Sequence, residues 1–291
     1  MAEALDAVLG LCADGELPPG IALAQLCLAA TDEQGARHAL AHALADAAPA
    51  PRRRLAAVYA LWNATPAAFA VTRAVASTSA EVDTERTPAT WARAFDAAAA
   101  ISPEAAVALY SLGRPDLLAS ATAEIVDDLR ARGVLGADRR VVDVGCGIGR
   151  ILAALAPRVK EAVGIEVSAV MIAEARKRCA GLENITLAPG SGSDLAPCSS
   201  AAYELVLFVD SFPYVVASGP ALVVANLREA HRVLRPRSRL LIYNYSYRGS
   251  DDDDRHDVSR LAGELGFHVL ENGRRGLRRW DGAVFDLMRT G

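Results

Sequence analysis

The sequence predicts an α/β protein: a mostly parallel sheet with helices on both faces and an antiparallel last strand, preceded by an all-α region. Three observations carry this reading. Short β-rich runs alternate with helical segments from about residue 140 onward, Ala- and Leu-rich helical spacing fills the first hundred residues, and two extended runs flank an Asp-Gly pair near the C-terminus. Alternation of strands and helices implies right-handed crossovers between parallel strands.

In order along the chain, residues 1–100 are punctuated by Pro18-Pro19-Gly20, Pro49, Pro51, Pro66 and Pro88. Between these breaks, apolar residues recur at helical spacing: Ile21, Leu23, Leu26 and Cys27, then Leu40, Ala43 and Leu44, then Leu55, Val58, Leu61 and Trp62. Four or five short helices are expected, with no repeated unit that would make a solenoid. Ser102-Pro103-Glu104 starts a new helix, and helices over 103–111 and 115–132 lead to the first strand. Strands are expected at Val141–Val144, Ala162–Ile165, Ile185–Ala188, Leu205–Val209 and Leu240–Tyr243, with helices near 149–156, 168–180 and 220–234. Asp251-Asp252-Asp253-Asp254 suits the positive end of a helix that stops at Gly266. Runs 267–271 and 283–289 around Trp280-Asp281-Gly282 complete seven strands as an antiparallel pair. At 291 residues two domains are the default, divided here into 1–100 and 101–291.

Composition excludes several classes. The chain is 52% hydrophobic and 23% charged, with net charge −4 and pI near 5.8, so it has no basic field for a phosphate backbone, and nucleic acid is not an expected partner. Arg52, Arg53 and Arg54, and the later Arg274, Arg275, Arg278 and Arg279, read as solvated faces. Five cysteines without a C-x-x-C pair suggest neither a disulfide framework nor zinc. The acidic start and the lack of a long uncharged apolar run argue against a leader and a membrane span. A cytoplasmic location is expected.

The sharpest motif is Val141-Val142-Asp143-Val144-Gly145-Cys146-Gly147-Ile148-Gly149-Arg150. A strand that ends in glycines before a helix leaves bare backbone against which a nucleoside-like ligand can lie. Glu166 falls about twenty residues later at the next strand end, where a carboxylate can accept both ribose hydroxyls. A dinucleotide site needs Gly or Ala at the sixth position of its fingerprint; Arg150 stands there and counts against a nicotinamide-dependent oxidoreductase.

These residues resemble the class I S-adenosylmethionine-dependent methyltransferases, which share a Rossmann-like fold and an acid-x-Gly-x-Gly-x-Gly first motif matched by Asp143, Gly145, Gly147 and Gly149. The resemblance extends through Glu166, through Tyr203–Asp210 and through Glu229–Pro236, and covers about residues 120–290. It implies S-adenosylmethionine as cofactor, S-adenosylhomocysteine as product, and methyl transfer to a small-molecule acceptor without a metal. By the same resemblance Gly145, Cys146 and Gly147 approach the methionine and ribose, Glu166 holds the ribose, and Val167 packs on adenine. Val209 closes the fourth-strand side. The family's Gly-Asp after the third strand is Gly190-Ser191 here, followed by Gly192, Ser193 and Asp194, so either Ser191 or Asp194 faces the adenine amino group. Pro236-Arg237-Ser238 replaces the family's Pro-Gly-Gly. Tyr110 falls in the region that commonly folds over the cofactor.

For the acceptor, strand ends supply Asp210 and Tyr214 after the fourth strand and Tyr243, Tyr245 and Tyr247 after the fifth. Asp210 is expected to orient an amine or hydroxyl, with Tyr214 lining the pocket. Asp210-Ser211-Phe212-Pro213 is not the signature of enzymes that methylate amide or base nitrogens. His231 and His268 read as packing or surface residues, and His256 as a weak candidate base. The N-terminal helices stand open to three roles: a cap on the acceptor site, a homodimer surface, or binding unrelated to catalysis. A methyltransferase-like module without turnover is the competing class, suggested by Ser191.

Overall fold

In the computed structural model, which describes residues 2–79, 82 and 85–291, the chain divides into two compact units, each made of separated segments. One comprises Met1–Ala80, Ala97–Ala121 and Leu277–Asp281; the other comprises Glu81–Asp96, Thr122–Gly276 and Gly282–Gly291.

The first unit is helical. Helices α1 (Ala2–Asp14), α2 (Pro19–Ala29), α3 (Glu33–Asp46), α4 (Pro49–Asn63) and α5 (Ala68–Ser77) precede α6 (Pro88–Ile101), α7 (Pro103–Val107) and α8 (Pro115–Ala131), so the described residues up to Ile101 include six α-helices where four or five were expected. Apolar α2 is the hub: Leu23, Leu26 and Cys27 are fully buried and share a core with Leu40 of α3 and with Leu55, Val58 and Trp62 of α4. Asp32 caps α3 by accepting the Gly35 N–H at 2.8 Å. The expected helix over 103–111 breaks at Ala108, with a 3-10 turn over Leu109–Ser111. Among the described residues no single helix is long and apolar enough to cross a membrane; α4 and α5 pass together but are bent by 84°, and both contribute to buried core.

The second unit carries the sheet. Strands β1 (Gly136–Val144), β2 (Val159–Glu166), β3 (Ile185–Pro189), β4 (Tyr203–Val209), β5 (Leu234–Tyr243), β6 (Phe267–Arg274) and β7 (Val284–Arg289) lie in the order β3-β2-β1-β4-β5-β7-β6. The first five pair in parallel, and β7 runs antiparallel to both β5 and β6, as the sequence predicts. The order reverses beside β1, and such a switch point opens a crevice at the carboxyl ends of the strands.

Alternate residues of each strand serve opposite faces. Val142, Val206, Leu240 and Ile242 pack with Val223 and Leu227 of α12 (Pro220–Val233) and Leu261 of α13 (Asp251–Leu265). On the other face, Tyr243 donates its hydroxyl to Asp128 of α8 at 2.8 Å. Arg132, just past the end of α8, also bonds Asp128 at 2.7 Å, Glu271 at 2.5 Å and Asp286 at 2.8 Å, and Arg239 bonds Asp286 as well. Arg274, expected to be solvated, bonds Asp128 and Glu271, both at 2.7 Å. Helices α9 (Arg150–Leu155) and α10 (Ala169–Arg178) fall in the β1–β2 and β2–β3 crossovers.

Three local departures have plain causes. Pro236-Arg237-Ser238, expected as a turn, lies inside β5 as a bulge where the pairing with β4 shifts register, and Arg237 takes the left-handed φ of 64° that a glycine would adopt freely. Residues read as a loop after β4 form the short helix α11 (Phe212–Ala217), with Pro213 in its first turn. The β6–β7 connection spans nine residues, so Asp281-Gly282 is not a two-residue hairpin. The acidic run does open α13, with Ser250 accepting the Asp253 N–H and Gly266 ending the helix at φ 77°. Asp254 is buried and bonds Ser246 and Arg248, both at 2.7 Å.

Candidate active site at the carboxyl ends of the strands

The glycine loop leaves β1 and folds back on β2. Gly145 and Cys146 both donate their N–H groups to the Ile165 carbonyl, at 2.8 and 3.1 Å, and Gly149 donates to Cys146 at 3.0 Å. Glu166, 5% exposed, accepts the Gly147 N–H at 2.9 Å on one oxygen and the Ser168 N–H at 2.9 Å on the other. Gly145 is glycine for two reasons: its φ is 72°, and a Cβ there would stand 2.4 Å from Ser211 Cβ. Ser211 belongs to the turn after β4 and bonds the Val144 carbonyl at 2.5 Å, so the ends of β1 and β4 are closed on one another.

Asp143 sits on β1 below this loop, 1% exposed, and neither of its oxygens has a hydrogen-bond partner among the described residues. Burial pushes its carboxyl up to about 7, with the Arg150 charge opposing and the Glu166 charge adding to the rise. Arg150 is itself buried and donates to Thr122 at 3.1 Å. Burial also raises Glu166, against the Ser168 and Gly147 N–H groups that favour its charged form. The Cys146 thiol is pushed well up, first by burial and then by Asp143 and Glu166, so it is no nucleophile.

At the ends of β2 and β3 the structure joins what the sequence left as alternatives. The Ser191 hydroxyl donates to Asp194 at 2.7 Å and accepts the Ser193 and Asp194 N–H groups at 3.1 and 3.2 Å. Ser191 and Asp194 therefore act as one hydroxyl–carboxylate unit. Half-buried Val167 faces Gly192: a Cβ on that glycine would lie 3.4 Å from Val167 Cγ1 and 2.6 Å from Pro88 Cβ.

Past β4 and β5, two residues hold left-handed backbone, Asp210 at φ 60° and Asn244 at φ 71°, a conformation that Asp and Asn tolerate best among non-glycines. Asp210 Oδ1 accepts Asn244 Nδ2 at 3.0 Å and the Tyr247 hydroxyl at 2.7 Å. Buried Val209 pairs with Tyr243 directly before this turn. Of the tyrosines after β5, Tyr243 is spent on Asp128 and Tyr245 is 2% exposed against Phe212 and Phe285. Neither serves an acceptor. Tyr247 is 58% exposed along its side chain, yet its hydroxyl end is set among protein. Burial first and the Asp210 charge second raise the phenols of Tyr247 and Tyr214, so both stay protonated at neutral pH.

One element completes this rim from outside the motifs. Residues 88–96 of α6 belong to the same unit as the sheet. Thr87 and Thr90 cap that helix reciprocally, backbone N–H to side-chain oxygen, at 2.9 and 3.3 Å, with Pro88 in its first turn. Asp96 accepts the Ser168 hydroxyl at 2.5 Å and the Val170 N–H at 3.0 Å, at the start of α10. Trp91 and Phe95 pack edge-on against Tyr214 at 4.9 and 4.8 Å, and Trp91 Nε1 donates to Ser218 at 3.1 Å. Pro88, Trp91, Phe95 and Asp96 thus span the ends of β2, β3 and β4.

A family model described as a methyltransferase domain matches residues 141–237, the stretch from the glycine loop to the β5 bulge. That stretch is similar to a methyltransferase domain. A curated relative, the methyltransferase GfsG of Streptomyces halstedii, is 30% identical over 141 residues, covering 47% of this chain and 49% of its own length. The chain therefore spans about half the length of that relative. Among solved structures, similarity extends to magnesium protoporphyrin IX methyltransferase of Synechocystis with bound S-adenosylmethionine, at 20% identity and TM-score 0.45 over 60% of this chain and 80% of that one. The phosphoethanolamine N-methyltransferase 1 of Haemonchus contortus gives 16% and 0.48 over 60% and 43%.

Within the matched stretch the structure brings Asp143, Gly145, Cys146, Gly147 and Glu166 together at the β1–β2 ends, Val167, Ser191, Gly192 and Asp194 at the β2–β3 ends, and Val209, Asp210 and Tyr214 at the β4 end. Tyr110 belongs to the helical unit, where it is buried and stacks on Trp280 at 6.4 Å. Sequence reasoning missed Trp91, Phe95, Asp96 and Asn244. A signal for the first pair exists: Trp91 and Phe95 are the only aromatic residues of Ala-rich α6 and stand four apart on one face. His231 packs edge-on against Phe267 at 5.3 Å, and His256 is exposed on α13. Among the described residues no cluster of His, Cys, Asp and Glu is placed to hold a metal ion.

Proposed function

We propose that the domain transfers a methyl group from S-adenosylmethionine to a small-molecule acceptor. The observation that carries this reading is Asp143, a fully enclosed carboxylate without a hydrogen-bond partner among the described residues, beside a loop whose N–H groups at Gly145, Cys146, Gly147 and Gly149 are already donated within the chain. Such a site suits a cationic ligand. It does not suit a pyrophosphate, which needs free N–H donors at the helix start and would meet the charges of Asp143 and Glu166. The rival nicotinamide reading fails on the same atoms.

When bound, the cofactor supplies a methyl group already activated on a sulfonium. The protein's own residues then bind and align. Asp143 pairs with the ligand's cationic portion. Glu166 has used one lone-pair site on each oxygen, and a carboxylate offers about four, so it keeps capacity for the ribose hydroxyls while Gly147 holds it in place. Val167 and Gly192 flank the base, and the Ser191–Asp194 unit offers an acceptor to an exocyclic amine. That unit restores the carboxylate whose absence at 191 suggested a module without turnover. On the other side Asp210, held by Asn244 and Tyr247, orients the acceptor's N–H or O–H. Alignment of this kind lowers barriers by as much as ~7–11 kcal/mol. The phenols stay protonated, so general-base work falls to Asp210 or is not needed.

A small acceptor fits the acidic rim and the net charge of −4 better than a polyanion does. Five free, buried thiols fit a reducing compartment, and we place the protein in the cytoplasm. Calorimetry with S-adenosylmethionine, S-adenosylhomocysteine and NAD tests the proposal. Heat from the first two and none from NAD is expected. Micromolar NAD binding with silence from the others would overturn it.

A further inference from the structure

We infer that Trp91, Phe95, Tyr214 and Tyr247 form the acceptor wall of this domain and select a hydrophobic, uncharged or cationic acceptor that ends in a single hydroxyl or amine. This rests on the proposed function, which it deepens by naming the acceptor's chemistry.

The four rings form one continuous surface. Trp91 meets Tyr214 at 4.9 Å, Phe95 meets Tyr214 at 4.8 Å, and Tyr214 meets Tyr247 at 5.7 Å, all edge-on, an arrangement that leaves ring faces for a ligand to cover. Two of their polar ends are tied within the protein: Trp91 Nε1 donates to Ser218 and the Tyr247 hydroxyl to Asp210. What the wall offers is apolar area. Trp91, Phe95 and Tyr214 are half-buried and Tyr247 is 58% exposed, so the surface is reachable.

Two carboxylates flank the wall, while Arg93 of α6, two residues from both Trp91 and Phe95, is exposed and does not share their helix face. Asp210 ends the wall and is the charge that the Tyr214 and Tyr247 phenols feel. Asp96 follows Phe95 directly, and its charge acts on Glu166. The guanidinium nearest in sequence, Arg248, is engaged by Asp254 and Asp257 at 2.7 and 2.9 Å. A carboxylate- or phosphate-bearing acceptor would therefore be repelled, whereas a hydroxyl or amine on an apolar body can donate to Asp210 while its body lies on the rings.

The test uses the full-length protein and 2-naphthol as the probe, with 6-hydroxy-2-naphthoate as its anionic counterpart, each titrated with and without S-adenosylhomocysteine and followed by quenching of tryptophan fluorescence. Of the three tryptophans only Trp91 lies on the wall; Trp62 and Trp280 belong to the helical unit. 2-Naphthol should bind at least about tenfold more tightly than the naphthoate, as like-charge opposition predicts, and Asp210→Asn should narrow that ratio. Phe95→Ala should weaken 2-naphthol about tenfold, a loss typical of one aromatic contact; Trp91→Phe should abolish most of the quenching while a competition assay still detects binding, which separates loss of signal from loss of fold. Equal or tighter binding of the naphthoate, or unchanged affinity in Phe95→Ala, would overturn the inference. The cofactor reading fails separately: silence from S-adenosylhomocysteine in calorimetry would remove the methyl donor and leave the naphthol ratios standing.

Discussion

The two sides of the crevice hold their carboxylates by different means. At the β1–β2 ends, Glu166 is gripped by backbone N–H groups of Gly147 and Ser168, so its place is set by the chain's path. At the β4–β5 ends, Asp210 is gripped by the side chains of Asn244 and Tyr247, so its place is set by residues that can change without altering the path. A group common to every reaction of a fold can be built into the backbone, whereas a group that must suit one acceptor is better carried on exchangeable side chains. The difference is open to test by removing a support on each side.

The largest effect is expected from Glu166→Ala. Two backbone N–H groups lose their acceptor and the ribose would lose its proposed partner, so affinity for S-adenosylhomocysteine should fall by ~1.5–3 kcal/mol, or about ten- to a hundredfold. Binding of 2-naphthol in the absence of the cofactor should hold. Calorimetry gives the first value and fluorescence the second; a folded variant with unchanged cofactor affinity would remove Glu166 from the site.

A smaller effect should follow on the other side. Tyr247→Phe deletes one of the two donors to Asp210 Oδ1 and leaves the ring in the wall. One hydrogen bond to a charge that keeps its second donor is worth about 1 kcal/mol, so 2-naphthol should bind about fivefold more weakly, with cofactor affinity intact. If the cofactor weakens instead, the two sides are coupled and the division drawn above is wrong.

The same division explains what could be read from the sequence. The strand positions, the glycine loop and the place of Glu166 are legible because local grammar dictates them: a buried strand, a turn that needs positive φ, and an acid at the next strand end. The antiparallel pair that closes the sheet follows from the same patterns, whereas the order and register of the strands come from the fold alone. Trp91, Phe95 and Asp96 were not legible, since they lie some fifty residues before the first motif on an Ala-rich helix, and only the fold brings them to the ends of β2 and β4. Tyr243 misled for the converse reason: its position after a strand suggests a pocket, but its hydroxyl is buried on Asp128. Ser191 looked like a lost acid because its partner Asp194 lies three residues on, across a turn whose closure a sequence does not display.

The most diagnostic effect concerns pH and Asp143, which belongs to the backbone-held side but lacks any such grip. Its carboxyl titrates near 7 in the folded protein, against about 3.9 in an unfolded chain. Below pH 4 both states hold the proton and the group contributes nothing. Between the two values the folded state keeps a proton that the unfolded chain has lost, so stability falls as pH rises through this window, and above about 7 the full cost of a buried charge is felt. A cationic ligand reverses the preference, because it needs the ionised form. Affinity for S-adenosylhomocysteine, a zwitterion whose ammonium would face Asp143, should therefore climb about tenfold in all from pH 6 to 8, while the ligand-free protein melts at progressively lower temperature. Asp143→Asn should flatten the affinity profile and raise the melting temperature at pH 8; whatever slope persists belongs to Glu166, which burial shifts in the same direction. A ligand-free Asp143→Asn protein less stable than the parent at pH 8 would mean that the carboxylate is held by partners after all, and the case for a cationic ligand at this position would fall with it.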